Sequence, residues 1–242
     1  MKLLCDLGHT HIKWAWADGR ALADCGSAPY GGEDGYAAQI AGGEAPSAVQ
    51  AISVARDRNA AFAGFCQERW GLMPQWHGSV REGFGVSSLY APAESLGADR
   101  FAALVGVHVR HPDRSVCVVD CGTAITVDVL DAHGVFRGGA ILPGLAVAAR
   151  ALQGVAPMLT VPVDDRCFGP CGRTTGEAVG AGLMVGTAGA IERLVHDQEV
   201  IVGVGALLIL TGGDALRISP YLTCPYEHRP HLTLEGLAVM AA

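Results

Sequence analysis

Two short polar turns interrupt apolar stretches of this sequence, and their residue types suit phosphate and metal chemistry. The first, in "KLLCDLGHTHIKWAWAD", contains Asp6, Gly8 and Thr10; the second, in "SVCVVDCGTAITVDVL", contains Asp120 and Gly122. Glycine lets a ligand approach the backbone closely because it has no Cβ, and the amides and hydroxyls of such a turn can bind an anion. A carboxylate would repel phosphate unless a cation lay between them. The two aspartates therefore predict a metal ion held over a polyphosphate.

A third turn strengthens this interpretation. A single polar turn would more simply be an Asx-type hairpin turn closed by its own side chain. However, "LLILTGGDAL" places Gly212 and Gly213 directly after an apolar strand and Asp214 at the start of a helix, which leaves space for a flat or anionic group beside bare backbone. The P-loop and G-x-G-x-x-G patterns do not occur at a strand-to-helix turn. The three turns together predict a nucleotide site without a P-loop.

The surrounding pattern predicts the elements that would hold these turns. Strands are expected over residues 2–7, 12–18, 49–55, 115–120, 124–130 and 138–144, within 206–216, and briefly near 231; helices are expected over 57–70, 97–109, 145–155 and 175–196, after Asp214, and at the C-terminus. Residues 78–90 are predicted as a loop. The strand-turn-strand arrangement recurs 114 residues later, counted from Asp6 to Asp120. This repetition predicts an α/β fold of two duplicated lobes that meet at a cleft.

Composition excludes several classes of protein. The 242 residues are 50% hydrophobic, with 33 glycines and 6% aromatic residues, so we expect a large core of small aliphatic side chains. A net charge of -7 argues against nucleic-acid binding. The segment after Lys2 is too short for a signal peptide, and the uncharged run 178–191 is too short and glycine-rich to span a bilayer. The eight scattered cysteines suit a reducing compartment. We therefore expect a cytoplasmic protein that binds neither nucleic acid nor membrane.

Six motifs resemble, in order and approximate spacing, those of type III pantothenate kinases. They are "DLGHTHIKW", "LYAPAESLGADR", "DCGTAITVD", "GGAILPG", "TTGEAVGAG" and "LTGGD", and they extend the resemblance over essentially the whole chain. The resemblance implies the actin-like ATPase fold, shared with acetate and sugar kinases and heat-shock ATPases. It divides the chain into an N-terminal ribonuclease-H-like lobe over residues 1–112 and a C-terminal one over 113–242, with a cleft between them.

The reaction that the resemblance implies is ATP-dependent phosphorylation of pantothenate to 4'-phosphopantothenate, the first step of coenzyme A biosynthesis. The family's general base, in its G-x-D-R motif, matches Asp99 here. The positions implied in pantothenate binding are Tyr90, Gly97, Ala98, Asp99, Arg100 and Thr175. Thr175 would reach the pocket of the neighbouring subunit, which implies a homodimer with the pocket at its interface. Two plainer roles stay open: Arg100 could pair with Glu94, and Thr174 or Thr175 could cap the long helix.

The family's nucleotide positions coincide with the three polar turns. They match Asp6, Leu7, Gly8, His9, Thr10, His11, Ile12, Lys13, Gly122, Thr123, Gly212, Gly213 and Asp214 in this chain. With ATP as co-substrate, the resemblance implies that Asp6 serves Mg²⁺, usually through water. It also implies that Asp120 holds the monovalent cation, K⁺ or NH₄⁺.

His9 departs from the family pattern, which has asparagine at this position. An imidazole can still donate one hydrogen bond, so we expect His9 to keep a phosphate contact and to make ATP binding more sensitive to pH. The departure keeps open the alternative of a catalytically weak accessory or regulatory binding protein of the same family. A related small-molecule kinase is a further alternative, although the G-A-D-R segment and "GGAILPG" count against it.

Overall fold

The chain forms two compact units in the computed structural model, which describes residues 1–31, 35–40, 44–159, 169–203 and 205–242. The first unit contains Met1–Asp113, Gly134–Phe136 and His231–Ala242, and the second contains Arg114–His133 and Arg137–Pro230. The C-terminal segment thus belongs with the N-terminal half of the chain. The division of the chain into two lobes after residue 112 stays a prediction.

The first unit is built on a five-stranded sheet. Its strands are β1 (Lys2–Leu7), β2 (His11–Asp18), β3 (Ala21–Pro29), β4 (Val49–Ser53) and β5 (Gln75–His77). They lie in the order β3-β2-β1-β4-β5. The first three pair antiparallel, whereas β4 and β5 run parallel to β1. A short hairpin of β6 (Glu82–Gly83) and β7 (Val86–Ser88) lies in the stretch predicted as a loop.

The second unit repeats this strand order. Its strands are β8 (Val116–Cys121), β9 (Ala124–Leu130), β10 (Val135–Pro143), β11 (Leu207–Thr211) and β12 (Glu227–His228), and they lie in the order β10-β9-β8-β11-β12. The pair β8–β9 is antiparallel, and β11 and β12 are parallel to β8. The first residues of β10 belong to the first unit, where they pair with β7. The same topology in both units confirms the predicted duplication.

Helices follow the strands much as the apolar spacing predicts. They are α1 (Tyr36–Ile40), α2 (Asn59–Trp70), α3 (Ala98–Arg110), α4 (Leu145–Val155), α5 (Thr175–Val202), α6 (Ala215–Ile218) and α7 (Leu232–Met240). The short strand expected near residue 231 is wrong, because the segment from Leu232 is helical. This helix is buried on nearly every side, so its sequence shows no alternation of apolar and polar residues at helical spacing.

Strand β3 was not predicted, although it completes the first meander. Most of its residues are exposed or half-buried, and it contains Asp24 and Gly26, so the alternation of an amphipathic strand is absent. Gly26 pairs with Trp14 across the sheet, and a Cβ at Gly26 would overlap the indole ring. Burial of this large ring therefore depends on a glycine that looks like a strand breaker.

Helix α5 is six residues longer than predicted. By length and composition alone it could cross a membrane, with a mean hydropathy of 1.3 over its most apolar window and 33% of that window buried. One face, which includes Met184, Ala188, Ile191 and Val195, packs in the core of the second unit. The core helix of a soluble protein can be equally long and apolar. The length and composition of α5 are therefore weak evidence for a membrane span.

The helix that carries the candidate catalytic aspartate, α3, crosses α7 at backbone contact. A Cβ at Gly106 would lie 2.9 Å from the Leu232 carbonyl oxygen, and one at Gly236 would overlap the Ala102 carbonyl. Only a residue without a side chain allows this approach. The pair of glycines therefore sets the depth at which α3 is buried.

We expect Gly236→Ala to lower the free energy of unfolding by about 1–3 kcal/mol, because the added methyl group must push the two helices apart. Thermal and urea unfolding followed by circular dichroism would measure the change. Gly64→Ala is the matched control, since its site in α2 has open space around the Cβ position and the substitution should leave stability equal or higher. Equal stability of both variants would contradict the proposed contact.

Candidate active site

The first polar turn joins β1 to β2 and is closed by its own backbone. Gly8 N–H donates to the His11 carbonyl at 3.1 Å, and a Cβ at Gly8 would also lie 3.1 Å from that oxygen, so a side chain would crowd the turn. Asp6 is 5% exposed and lies opposite Lys13 in the ladder. His9 and Thr10 at the tip are exposed. The turn thus combines accessible backbone with a buried carboxylate and a cationic neighbour.

The candidate general base lies at the start of α3. Asp99 is in the first turn of this helix, and its Oδ1 accepts a hydrogen bond from the Arg100 N–H at 2.7 Å. A Cβ at Gly97 would lie 2.5 Å from the same oxygen. The glycine in "LGADR" therefore makes room for the carboxylate. A helix N-terminus also favours the negative charge that a general base needs.

Arg100 lies beside two aromatic rings. Its guanidinium carbon is 5.6 Å from the centre of the Tyr90 ring and 5.7 Å from that of Phe136, and Nη2 donates a long hydrogen bond of 3.4 Å to the Tyr90 hydroxyl. The Tyr90 and Phe136 rings are themselves 5.2 Å apart. Glu94, the alternative partner considered for Arg100, is exposed. Arg100 is 9% exposed, and its cation–π contacts with the two rings hold the guanidinium in one orientation.

Phe136 is a candidate site residue that the sequence did not suggest. It lies in β10, and it reaches the first unit because β10 pairs in parallel with β7, opposite Ser88. Its ring is fully buried. An apolar residue in an apolar strand carries no local signal of such a role, and only the strand pairing brings it to Tyr90.

A cavity of about 550 Å³ lies in the first unit beside the backbone of Gly97 and Ala98. Its lining includes Ser53, Asn59 and Trp76. The Ser53 hydroxyl and the Asn59 side-chain carbonyl are buried there without a hydrogen-bond partner among the described residues. Buried polar atoms normally find partners, so these two are suited to receive polar groups of a ligand.

The second polar turn joins β8 to β9 and packs on the start of α4. Gly122 N–H donates to the Ala124 carbonyl and Gly144 N–H to the Thr123 carbonyl, both at 3.1 Å. A Cβ at Gly144 would overlap the Gly122 carbonyl. Thr123 is exposed at the tip. The glycine of "ILPG", which precedes α4, therefore supports the turn, a role that the sequence did not reveal.

The double-glycine turn after β11 touches the Asp120 carboxylate. Gly212 has a φ of +95°, and a Cβ there would overlap Asp120 Oδ1 and lie 2.5 Å from the backbone nitrogen of Cys121. Asp214 N–H donates to the Cys121 carbonyl at 2.9 Å, and its carboxylate pairs with Arg217 at 2.9 Å. Glycine is thus required for both conformation and space. The contact brings the predicted cation position and adenosine motif together within the second unit.

The two threonines at the start of α5 differ in their surroundings, and only one of them caps the helix. Thr174 is the N-cap: its hydroxyl accepts from the Glu177 N–H at 3.2 Å, while the Glu177 carboxylate accepts from the Arg173 N–H at 2.7 Å. This reciprocal arrangement resembles a capping box. Thr175, the first residue of the helix, is exposed. Its hydroxyl is therefore available for a contact outside its own chain.

A cation at these turns would be held by single carboxylates. Among the described residues, no group of three His, Cys, Asp or Glu side chains could hold a metal ion. Mg²⁺ in phosphoryl-transfer sites commonly takes one or two carboxylates and completes its shell with phosphate oxygens and water. Asp6, buried beneath an accessible turn, fits that pattern. The turns are therefore suited to bind a metal–nucleotide complex rather than a metal ion alone.

The chain is similar to known proteins over most of its length. The family model of type III pantothenate kinase matches residues 2–197. A type III pantothenate kinase from Nitrosococcus oceani is 34% identical over 249 residues, covering 100% of this chain and 94% of the relative. The matched segment includes Asp6, Asp99, Asp120 and Thr175, whereas the double-glycine turn follows it.

Solved structures show the same fold at low identity. A Baf family transcriptional activator from Campylobacter jejuni aligns with a TM-score of 0.65 at 19% identity, over 99% of this chain and 97% of that one. The activator of 2-hydroxyisocaproyl-CoA dehydratase from Clostridium difficile, solved with bound ADPNP, aligns with a TM-score of 0.56 at 13% identity, over 99% and 93%. The duplicated ribonuclease-H-like topology is that of the actin-like ATPases and sugar kinases. From the match of its sequence over nearly its full length, this chain belongs to the type III pantothenate kinase family.

Proposed function

We propose that this protein transfers the γ-phosphoryl group of ATP to the primary hydroxyl of pantothenate, with Asp99 as the general base. The observation that carries the role of Asp99 is its position at the start of α3, with the adjoining Gly97 and Ala98 backbone lining a cavity that contains unpartnered polar atoms. Phosphoryl transfer depends mainly on positioning and charge neutralisation, so a carboxylate that accepts the hydroxyl proton suffices as a base. The names of the curated relatives favour this kinase activity over the accessory-protein alternative.

We assign phosphate binding to the two hairpin turns and adenosine binding to the double-glycine turn. His9 and Thr123 are exposed at the tips of these turns, where backbone amides would donate to phosphate oxygens. Bound Mg²⁺ would neutralise charge on the phosphates, and Asp6 is the residue placed to hold it through water. A monovalent cation, K⁺ or NH₄⁺, is assigned to Asp120, whose carboxylate lies against Gly212.

We assign pantothenate binding to Tyr90, Arg100 and the cavity beside Gly97. The charged guanidinium suits the carboxylate or the polar groups of pantothenate, and its two aromatic neighbours hold it in place. Thr175 of the partner subunit would complete the pocket in a homodimer. The exposed Gly and Ala residues along α5, such as Gly182 and Gly186, support a close packing face between copies. For an enzyme of small soluble substrates we propose a cytoplasmic location.

Asp99→Asn should lower kcat by about 10²–10⁴-fold, because an amide cannot accept the hydroxyl proton. The KM for ATP should change little. A coupled assay of ADP release, with and without pantothenate, measures both constants. Glu68→Gln, which removes an exposed carboxylate on α2, is the control and should retain full activity. Near-normal turnover of Asp99→Asn would remove Asp99 from the catalytic role.

Asp120→Asn should raise the K⁺ concentration for half-maximal activity by about tenfold or more, because the neutral amide binds a cation less strongly. Rates measured while KCl replaces tetramethylammonium chloride at constant ionic strength would show the shift. Asp131→Asn, at a half-buried carboxylate paired with Arg137 in the same unit, should respond to K⁺ like the wild type. A wild-type enzyme that is indifferent to K⁺ would refute the cation assignment.

Phe136→Leu should raise the KM for pantothenate by about three- to tenfold, because Arg100 loses one of its two cation–π contacts and Tyr90 loses its packing partner. The KM for ATP should stay constant, since the contacts described for Phe136 are with the acceptor-site residues. Steady-state kinetics with each substrate varied in turn gives the comparison. An equal rise in both KM values would indicate general loss of structure instead.

A further inference from the structure

Tyr30 is connected to the first hairpin by a hydrogen bond that the sequence did not suggest. Its hydroxyl donates to the Gly8 carbonyl at 2.7 Å. Tyr30 directly follows β3, and the last residue of that strand, Pro29, pairs with His11 of β2. The edge strand of the sheet thereby brings the tyrosine beside the turn.

The Tyr30 ring has a defined position. The Arg58 guanidinium lies over one face, 5.0 Å from the ring centre, and the Tyr36 ring makes an edge contact at 6.0 Å with an interplanar angle of 75°. Tyr36 packs in turn against Phe62 and Phe65 in the core of the first unit. The hydroxyl therefore reaches Gly8 from a ring anchored in the core.

The hydroxyl is a hydrogen-bond donor under all physiological conditions. Burial, and secondarily the nearby Asp6 carboxylate, raises the pKa of Tyr30 well above its ordinary value. The group therefore stays protonated, and its proton is directed to the Gly8 carbonyl oxygen.

This bond determines which way the next amide faces. In a planar trans peptide the C=O and the following N–H point in opposite directions. With the Gly8 carbonyl directed to Tyr30, the His9 N–H faces away from it, and within the described part of the chain that N–H has no hydrogen-bond partner. Gly8 N–H already closes the turn onto His11, whereas the His9 amide is available for an external anion.

We infer that Tyr30 is a positioning residue for ATP: it orients the Gly8–His9 peptide so that the His9 N–H is presented to a phosphate oxygen. The inference rests on the proposed function, which places a triphosphate at this hairpin. It assigns to Tyr30 an effect on nucleotide affinity alone, because the hydroxyl contacts neither the α3 start nor the Tyr90–Arg100–Phe136 group.

Tyr30→Phe tests the role, since it removes only the hydroxyl. We expect the KM for ATP, and the Kd of the Mg²⁺ complex of a non-hydrolysable ATP analogue measured by calorimetry, to rise about three- to tenfold, the usual effect of one hydrogen bond. The KM for pantothenate and kcat should stay within about twofold, by the same reasoning. Tyr36→Phe is the matched control from the same aromatic cluster, because no hydrogen bond joins its hydroxyl to the described residues of the hairpin.

Two results would overturn the inference. One is an unchanged analogue Kd in Tyr30→Phe. The other is a fall in melting temperature and a rise in both KM values that Tyr36→Phe reproduces, which would mean that the cluster serves stability only. Failure of the proposed function would look different: the wild-type protein would bind the analogue and lose affinity on Tyr30→Phe, yet would not phosphorylate pantothenate.

Discussion

The candidate site in each unit depends on a contact that only glycine permits, the approach of a carboxylate oxygen to backbone. In the first unit Asp99 Oδ1 occupies the space that a Cβ on Gly97 would fill, and in the second Asp120 Oδ1 does the same at Gly212. A side chain at either glycine would displace an acid to which we assign a role in the proposed reaction. A close approach that only glycine permits also sets the crossing of α3 and α7 at Gly236, and this crossing fixes how deeply α3 is buried. At these three positions glycine thus serves close packing rather than loop flexibility.

Aromatic residues supply the second constraint, although there are few of them. Tyr90 and Phe136 enclose Arg100, and Tyr30 connects the hydrophobic core to the first hairpin. In the first place two rings hold a side chain that would otherwise have several rotamers, and in the second a ring hydroxyl bonds a backbone carbonyl of the turn. Because phosphoryl transfer depends mainly on positioning, we expect these rings to contribute to function although they carry no reactive group themselves.

Much of the framework could be predicted from local pattern. The strands around Asp6 and Asp120 are apolar on both sides of a short polar turn, and each was expected within about a residue of its observed bounds. Strand β3 and the C-terminal helix could not be assigned in the same way. The first is an exposed edge with weak alternation, and the second is buried on nearly all sides, so neither displays the period that marks its type.

The sequence by itself determined the chemistry of this protein: the acids, the glycines beside them, and the order of motifs that identifies the kinase family. Tight turns and general bases each require particular residue types, and residue types can be read directly from the sequence. Tertiary structure alone decided which residues surround those groups. Phe136 meets Tyr90 through a parallel strand pair, and Tyr30 meets Gly8 through an edge strand. Such contacts join residues far apart in the chain, and ordinary apolar or aromatic side chains enter them without any local signal.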